Sequence, residues 1–137
     1  MPTDPAELVG RALQIGAVAE RTELSIRTLR HYDEVGLVRP SARSGGGFRL
    51  YTEHDVARLH TIRRMKPLGF TLEEMRRLLD SLALLADATT NPEASRQAST
   101  FVNDCHARAE ESCRTLEKQL ADALEFRNLL ADQRWCA

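Results

Sequence analysis

The side chains with the most definite chemistry lie late in the chain. Residues 105–113 read "CHARAEESC", with His106 next to Cys105 and Cys113 closing the stretch, and Cys136 stands just before the last residue. Thiolates and imidazoles bind soft and borderline metal ions. Two thiolates on one ion, each about 2.3 Å from it, are no more than about 4.6 Å apart. On a straight helix Cys105 and Cys113 would be about 12 Å apart along the axis, and His106 and Cys113 about 10.5 Å. Neither pair can chelate an ion within one helix. Three cysteines, an odd number, with no export signal point to reduced thiols in the cytoplasm. No nucleophile–base pair, phosphate loop or histidine–carboxylate cluster rises above chance, so the chain is not expected to be an enzyme.

A chain of 137 residues and 15.4 kDa has room for one small domain and one further element. With 42% hydrophobic, 28% charged and only 5% aromatic residues, it reads as a helical, soluble protein. No apolar run approaches the roughly 18 residues of a membrane span, so no membrane partner is expected. The start, "MPTDPAELVGRALQ", lacks the basic and apolar regions of a secretory signal. The net charge of −1 conceals an asymmetry: residues 15–69 hold 10 Lys and Arg against 6 Asp and Glu, whereas residues 70–137 hold 8 against 12. The basic half is suited to a polyanion.

Helical spacing places Ile15, Val18 and Ala19 on one face of "IGAVAERT", and Leu29, Tyr32 and Val35 on one face of the next segment. Ser25 is the expected N-cap of that second helix and Gly36 its stop. Two short helices joined by about three residues form a helix-turn-helix pattern. The segment "VRPSARSGGGFRLYT" follows, in which Pro40 and the glycines at 45–47 break helix while "FRLY" alternates like a strand; a hairpin wing fits. Thr52 with Asp55, and Thr71 with Glu74, are capping boxes. They open helices that carry Val56, Leu59 and Ile62, and then Leu72, Met75, Leu78, Leu79 and Leu82. Residues 87–97 read as a linker. From residue 98 to residue 132 nothing breaks helix, and Ala109, Cys113, Leu116, Leu120, Ala123 and Leu130 form one apolar stripe. So long a stripe needs a partner helix, most simply that of a second copy.

Residues 15–79, from "IGAVAERT" to "EEMRRLL", resemble the DNA-binding domain of MerR-family transcription regulators. The resemblance rests on "SIRTLRHYDEVGLVRP", "GGFRLYT" and "LGFTLEEM" in this order and spacing. It implies a mostly α fold: a winged helix-turn-helix DNA-binding domain followed by a long antiparallel coiled-coil dimerisation helix, in the short form without a large effector domain. The organisation is then an N-terminal tail (1–14), the winged domain with its connecting helix (15–86), the linker (87–97), and the dimerisation helix with the C-terminal end (98–137). The implied function is that of a homodimer which distorts promoter DNA in response to an effector, with RNA polymerase on the same promoter. The alternative is a DNA-architectural or excisionase-like winged-helix module without an inducer, against which the long helix argues.

On the same resemblance Ser25, Arg27 and Thr28 lie at the exposed start of the recognition helix, and Arg30 and Tyr32 occupy backbone-contacting positions, Tyr32 alternatively serving the core. In the wing Arg43 and Arg49 supply charge, Tyr51 offers its hydroxyl to a phosphate while its ring packs below, and Gly47 allows close approach. The chain departs from the family at Glu23, where the turn usually has glycine, and at His31, beside Tyr32. If position 23 is left-handed, Glu costs on the order of 1 kcal/mol relative to Gly. No cofactor is firmly implied. The thiol-bound metal arrangement left open pairs Cys105 of one copy with Cys136 of the other; the second loop cysteine of metal-sensing relatives is missing. Cys113 reads otherwise as a small apolar coil residue.

Overall fold

In the computed structural model, which describes residues 12–132, strand β1 (Leu13–Gln14) leads directly into helix α1 (Ile15–Thr22), and helix α2 (Ile26–Glu34) follows after a short turn. Glu23 ends α1 with φ 57° and ψ 25°, the left-handed conformation that glycine adopts without strain. Ser25 is extended, and its hydroxyl oxygen accepts from the Thr28 amide at 3.0 Å, which starts α2. Gly36, at φ 72°, turns the chain away after α2; a Cβ there would lie 3.1 Å from the Arg39 guanidinium. Val18, Thr22, Leu29 and Tyr32 are buried, and the Thr22 hydroxyl is satisfied by the Val18 carbonyl at 2.7 Å.

The wing is strand β2 (Ala42–Arg43) and strand β3 (Arg49–Tyr51), in an antiparallel sheet of order β1-β3-β2. Its tip closes with the Gly47 amide bonded to the Ser44 carbonyl at 2.9 Å and the Ser44 amide to the Phe48 carbonyl at 2.9 Å. Gly47 has φ 81° and open space around it, so the glycine is required by the turn and not by a crowded neighbour. The sequence placed residues 1–14 in a tail, but Leu13 and Gln14 pair with Tyr51 and Leu50. Two residues are too few to show alternation, and only the open edge of β3 makes them a strand. The rest of that tail, residues 1–11, lies outside the described residues.

Helix α3 (Glu53–Met65) opens on the expected Thr52–Asp55 capping box. Asp55 is also buried, and its Oδ2 accepts from the Ser41 hydroxyl at 2.6 Å, the Ser41 amide at 3.2 Å and the Thr52 amide at 3.0 Å. One carboxylate thus ties the start of α3 to the entry of the wing. A 3₁₀ turn (Lys66–Leu68) and left-handed Gly69 lead to helix α4 (Leu72–Ala86), where the Thr71–Glu74 box is formed in both directions, at 2.9 and 3.1 Å. Val38, Leu50, Val56, Leu59, Ile62, Met65, Phe70, Met75, Leu78 and Leu79 complete the core, while Leu72 and Leu82 stay exposed.

The chain divides into two compact units between Asp80 and Ser81, inside α4 and earlier than the expected boundary after residue 86. In the second unit a turn held by the Asp87 carboxylate and the Thr89 amide and hydroxyl precedes helix α5 (Pro92–Asp132). The linker expected over residues 87–97 is therefore shorter, because Pro92 starts a helix instead of breaking one. Asn91 caps it, accepting from the Ala94 amide at 2.8 Å, and proline at the first helical position lacks only an N–H that would be unpaired anyway. At 41 residues α5 is about 62 Å long. No helix among the described residues is long and apolar enough to cross a membrane.

Two stability predictions follow from these anchors. Asp55→Ala leaves the Ser41 and Thr52 donors without their acceptor, and we expect a loss of about 2–3 kcal/mol in urea unfolding. Glu23→Gly should be more stable than Glu23→Ala by about 1 kcal/mol, since both lose the side chain and only Ala keeps the left-handed strain. Equal midpoints would show that position 23 relaxes out of that conformation.

Candidate nucleic-acid interface

The capping of α2 by Ser25 leaves the helix's first turn open to solvent. Ser25, Arg27 and Arg30 are exposed there, Thr28 is half-buried, and Leu29 and Tyr32 face the core. The Ser25 hydroxyl, besides capping, donates to the Thr28 hydroxyl at 2.8 Å. Beside this turn lies an open groove of about 370 Å³. Arg27, Thr28, His31 and Lys66 line it together with Tyr32, Phe70, Leu72 and Met75. Lys66 was not singled out from the sequence, where it is one basic residue beside a helix-breaking proline. The 3₁₀ turn brings it to the groove that Arg27 lines.

On the wing, Arg43 and Arg49 are direct cross-strand partners. Asp33 of α2 holds both: its Oδ2 accepts from Arg49 Nε at 2.7 Å and from an Arg43 terminal nitrogen at 3.0 Å. The hydrogen bond to Asp33 pushes the Arg49 guanidinium further up from its already high range, against a smaller opposing effect of burial. Asp33, too, carried no signal in the sequence, since its partners are separated from it by the whole wing entry. Two further arginines brace the exit of α2, Arg76 donating to the Val35 carbonyl at 2.7 Å and Arg58 to that of Leu37 at 3.5 Å.

Of the two tyrosines, Tyr51 differs from the expectation of phosphate contact, while Tyr32 takes the core role given as its alternative. Tyr51 is 0% exposed, and its hydroxyl is closed off without a hydrogen-bond partner, so in this conformation it does not reach a phosphate. Burial pushes the Tyr51 phenol up, and neighbouring Asp33 adds to this while Arg49 opposes it. Tyr32 is buried as well, with its phenol pushed up by desolvation, and it meets solvent only as a wall of the groove. Both rings are drawn inward because they are the large apolar surfaces on their elements. The acid at Glu23 is paired with Arg63, and Arg21 is paired with Glu53 at 2.6 Å, so two basic side chains near the turn already have partners.

In the second unit, Phe101, Val102, Cys105 and Ala109 are half-buried on α5. Of the expected stripe, Cys113, Leu116, Leu120, Ala123 and Leu130 are exposed in the single chain. Leu124, Phe126 and Leu129, which lie outside that stripe, are also exposed. Cys105 and Cys113 lie on the same continuous helix, and Cys136 is outside the described residues. Among the described residues, no three His, Cys, Asp or Glu side chains gather as a metal site would.

Sequence profiles for two families match the chain: "MerR HTH family regulatory protein" over residues 13–82 and "MerR, DNA binding" over residues 56–132. The nodulation protein NolA of Bradyrhizobium sp. (strain NC92) is 42% identical over 77 residues, which are 56% of this chain and 32% of NolA. The HTH-type transcriptional regulator HmrR of Rhizobium leguminosarum bv. viciae is 43% identical over 67 residues, 49% of this chain and 51% of HmrR. The chain thus spans about half or less of the length of these curated relatives. Among solved structures, the regulator PbrR691 of Ralstonia metallidurans CH34, in complex with lead(II), has a TM-score of 0.52 at 28% identity and covers 85% of each chain. HiNmlR, a MerR family regulator lacking the sensor domain and bound to promoter DNA, shares the fold with a TM-score of 0.58 at 23% identity, over 89% of this chain and 94% of its own. Since the two profiles between them take in the helix-turn-helix, the wing and the long helix, this chain belongs to the MerR family of helix-turn-helix regulatory proteins.

Proposed function

We propose that this chain is a sequence-specific, DNA-binding transcription regulator that works as a homodimer and distorts promoter DNA in response to an effector. The observation that carries the reading is the joined pair of basic surfaces on the first unit: Arg27 and Arg30 exposed on α2, and Arg43 and Arg49 on the wing, with Asp33 bonded across. A helix of this kind enters the major groove, where its first-turn side chains reach base edges. Wing arginines beside it meet phosphates, which set orientation and register without reading sequence. Lys66 and Arg27 at one groove add a further place for backbone charge.

The long helix supplies the reason for two copies. Burying an exposed leucine contributes about 1.5–3 kcal/mol, and Leu116, Leu120, Leu124, Leu129 and Leu130 are all exposed on α5. Two copies on one duplex hold phosphates on both sides of the centre, so a shift between them is converted into DNA bend and twist. RNA polymerase on the same promoter is the partner that would read that shape. The architectural reading predicts the same bend with no inducer; a helix of 41 residues with an unpartnered apolar stripe favours the dimeric regulator.

Light scattering at micromolar concentration should give a dimer for the wild type and a monomer for Leu120→Asp, which places a charge in the stripe. A monomeric wild type would reject the dimer. Arg49→Ala should weaken binding to every duplex tested and lower the magnitude of the slope of log K against log salt by about one. An unchanged slope would remove the wing from the DNA contact.

A further inference from the structure

Arg43 and Arg49 stand directly opposite on β2 and β3. Like charges in that relation repel and weaken the strand pair. A single carboxylate answers both, and it comes from outside the wing: Asp33, near the end of α2, with its side chain only 10% exposed. Its bond to Arg49 is made through Nε at 2.7 Å, so the four N–H groups at the far end of that guanidinium are not used by Asp33. Arg43 gives one terminal donor at 3.0 Å and is half exposed, at 50%. The cluster keeps a net positive charge and links the helix that carries Arg27 and Arg30 to the hairpin that carries the other two cations.

An acid among DNA-facing arginines is expected at first sight to compete with phosphate. The geometry points to the opposite role, and we infer that Asp33 is a positioning residue for DNA: it locks the wing to the recognition helix and aims Arg43 and Arg49 at the backbone. This inference rests on the DNA-binding reading above. Binding through Nε orients the guanidinium plane and leaves its terminal edge for a phosphate oxygen, while the tie to α2 sets the wing contacts in register with the groove contacts. Side chains ordered before binding lose less freedom on binding.

Positioning and competition differ in sign. Full-length Asp33→Asn, assayed by fluorescence anisotropy on a duplex of mixed sequence over a salt series, should bind about tenfold more weakly at low salt. Its salt slope should fall in magnitude by about one to two, although the variant carries one negative charge fewer. In a background of Arg43→Ala with Arg49→Ala, Asp33→Asn should change nothing further. In wild-type protein the Arg49 Nε–H resonance should be protected from exchange both free and on DNA, a measurement that does not depend on how any variant folds. Tighter binding or a steeper slope for Asp33→Asn overturns the inference alone, as does further weakening in the double-arginine background. Loss of the protected resonance on DNA binding overturns it as well, because the bond to Asp33 would then be exchanged for phosphate. Wild-type protein that binds no duplex at any salt concentration overturns both the inference and the reading beneath it.

Discussion

The first unit depends on holding several positive charges close together without letting them drift apart. Arg43 and Arg49 face each other across strands of two and three residues, in a small sheet whose only other strand among the described residues is the two-residue β1, so the pairing has little strength of its own. The Asp33 carboxylate turns that repulsion into a bridge between wing and helix. In open water such pairs contribute about 0–1 kcal/mol, but Asp33 is 10% exposed and serves two guanidinium groups at once, so less of its attraction is screened. The same device appears at Asp55, a buried carboxylate that caps α3 and holds the entry of the wing through Ser41. Two acids therefore fix both ends of the hairpin that a hydrophobic core alone could not orient.

The core does a different task. Val18, Leu29, Leu59, Ile62 and Tyr51 are almost wholly buried, and they set how α1, α2, α3 and β3 lie against each other. Dispersion and burial have no preferred direction, so they bring elements together without choosing where a guanidinium points. The polar anchors supply that choice: Ser25 sets the first residue of α2, and Arg76 and Arg58 hold the carbonyls at its exit. The strain accepted at Glu23 belongs to the same economy of position, since the turn it makes is what lets α2 present its first turn outward. The second unit shows the reverse arrangement, where α5 is well supplied with ion pairs such as Arg114 with Glu111 at 2.7 Å, yet leaves its leucines without a cover. Local interactions make it a helix, and only another surface can make it a stable interface.

Much was legible from residue order. Caps, breakers and spacing identify α1, α2, α3 and α4, the wing and the long helix, because these signals act over three or four residues. The misreadings have a common cause. Leu13 and Gln14 are a strand only because β3 offers them an edge, and Pro92 reads as a breaker unless Asn91 is seen to cap the helix that it begins. At the candidate interface, Arg27, Thr28 and Arg30 lie where their helix register put them. The Tyr51 ring packs inward as expected, but so deeply that its hydroxyl does not reach outward.

The sequence by itself determined which segments form helices, where the helices of the first unit begin, which residues carry positive charge, and that two thiols on one helix cannot share an ion. Those properties follow from local backbone chemistry and a fixed rise per residue. The tertiary structure alone decided that Asp33 meets Arg43 and Arg49, that Lys66 joins the groove of Arg27, and that the Tyr51 hydroxyl is sealed from solvent. Each of these joins residues brought near by the packing of different elements. Charge and burial at such places depend on distances in space, which no periodicity along the chain records.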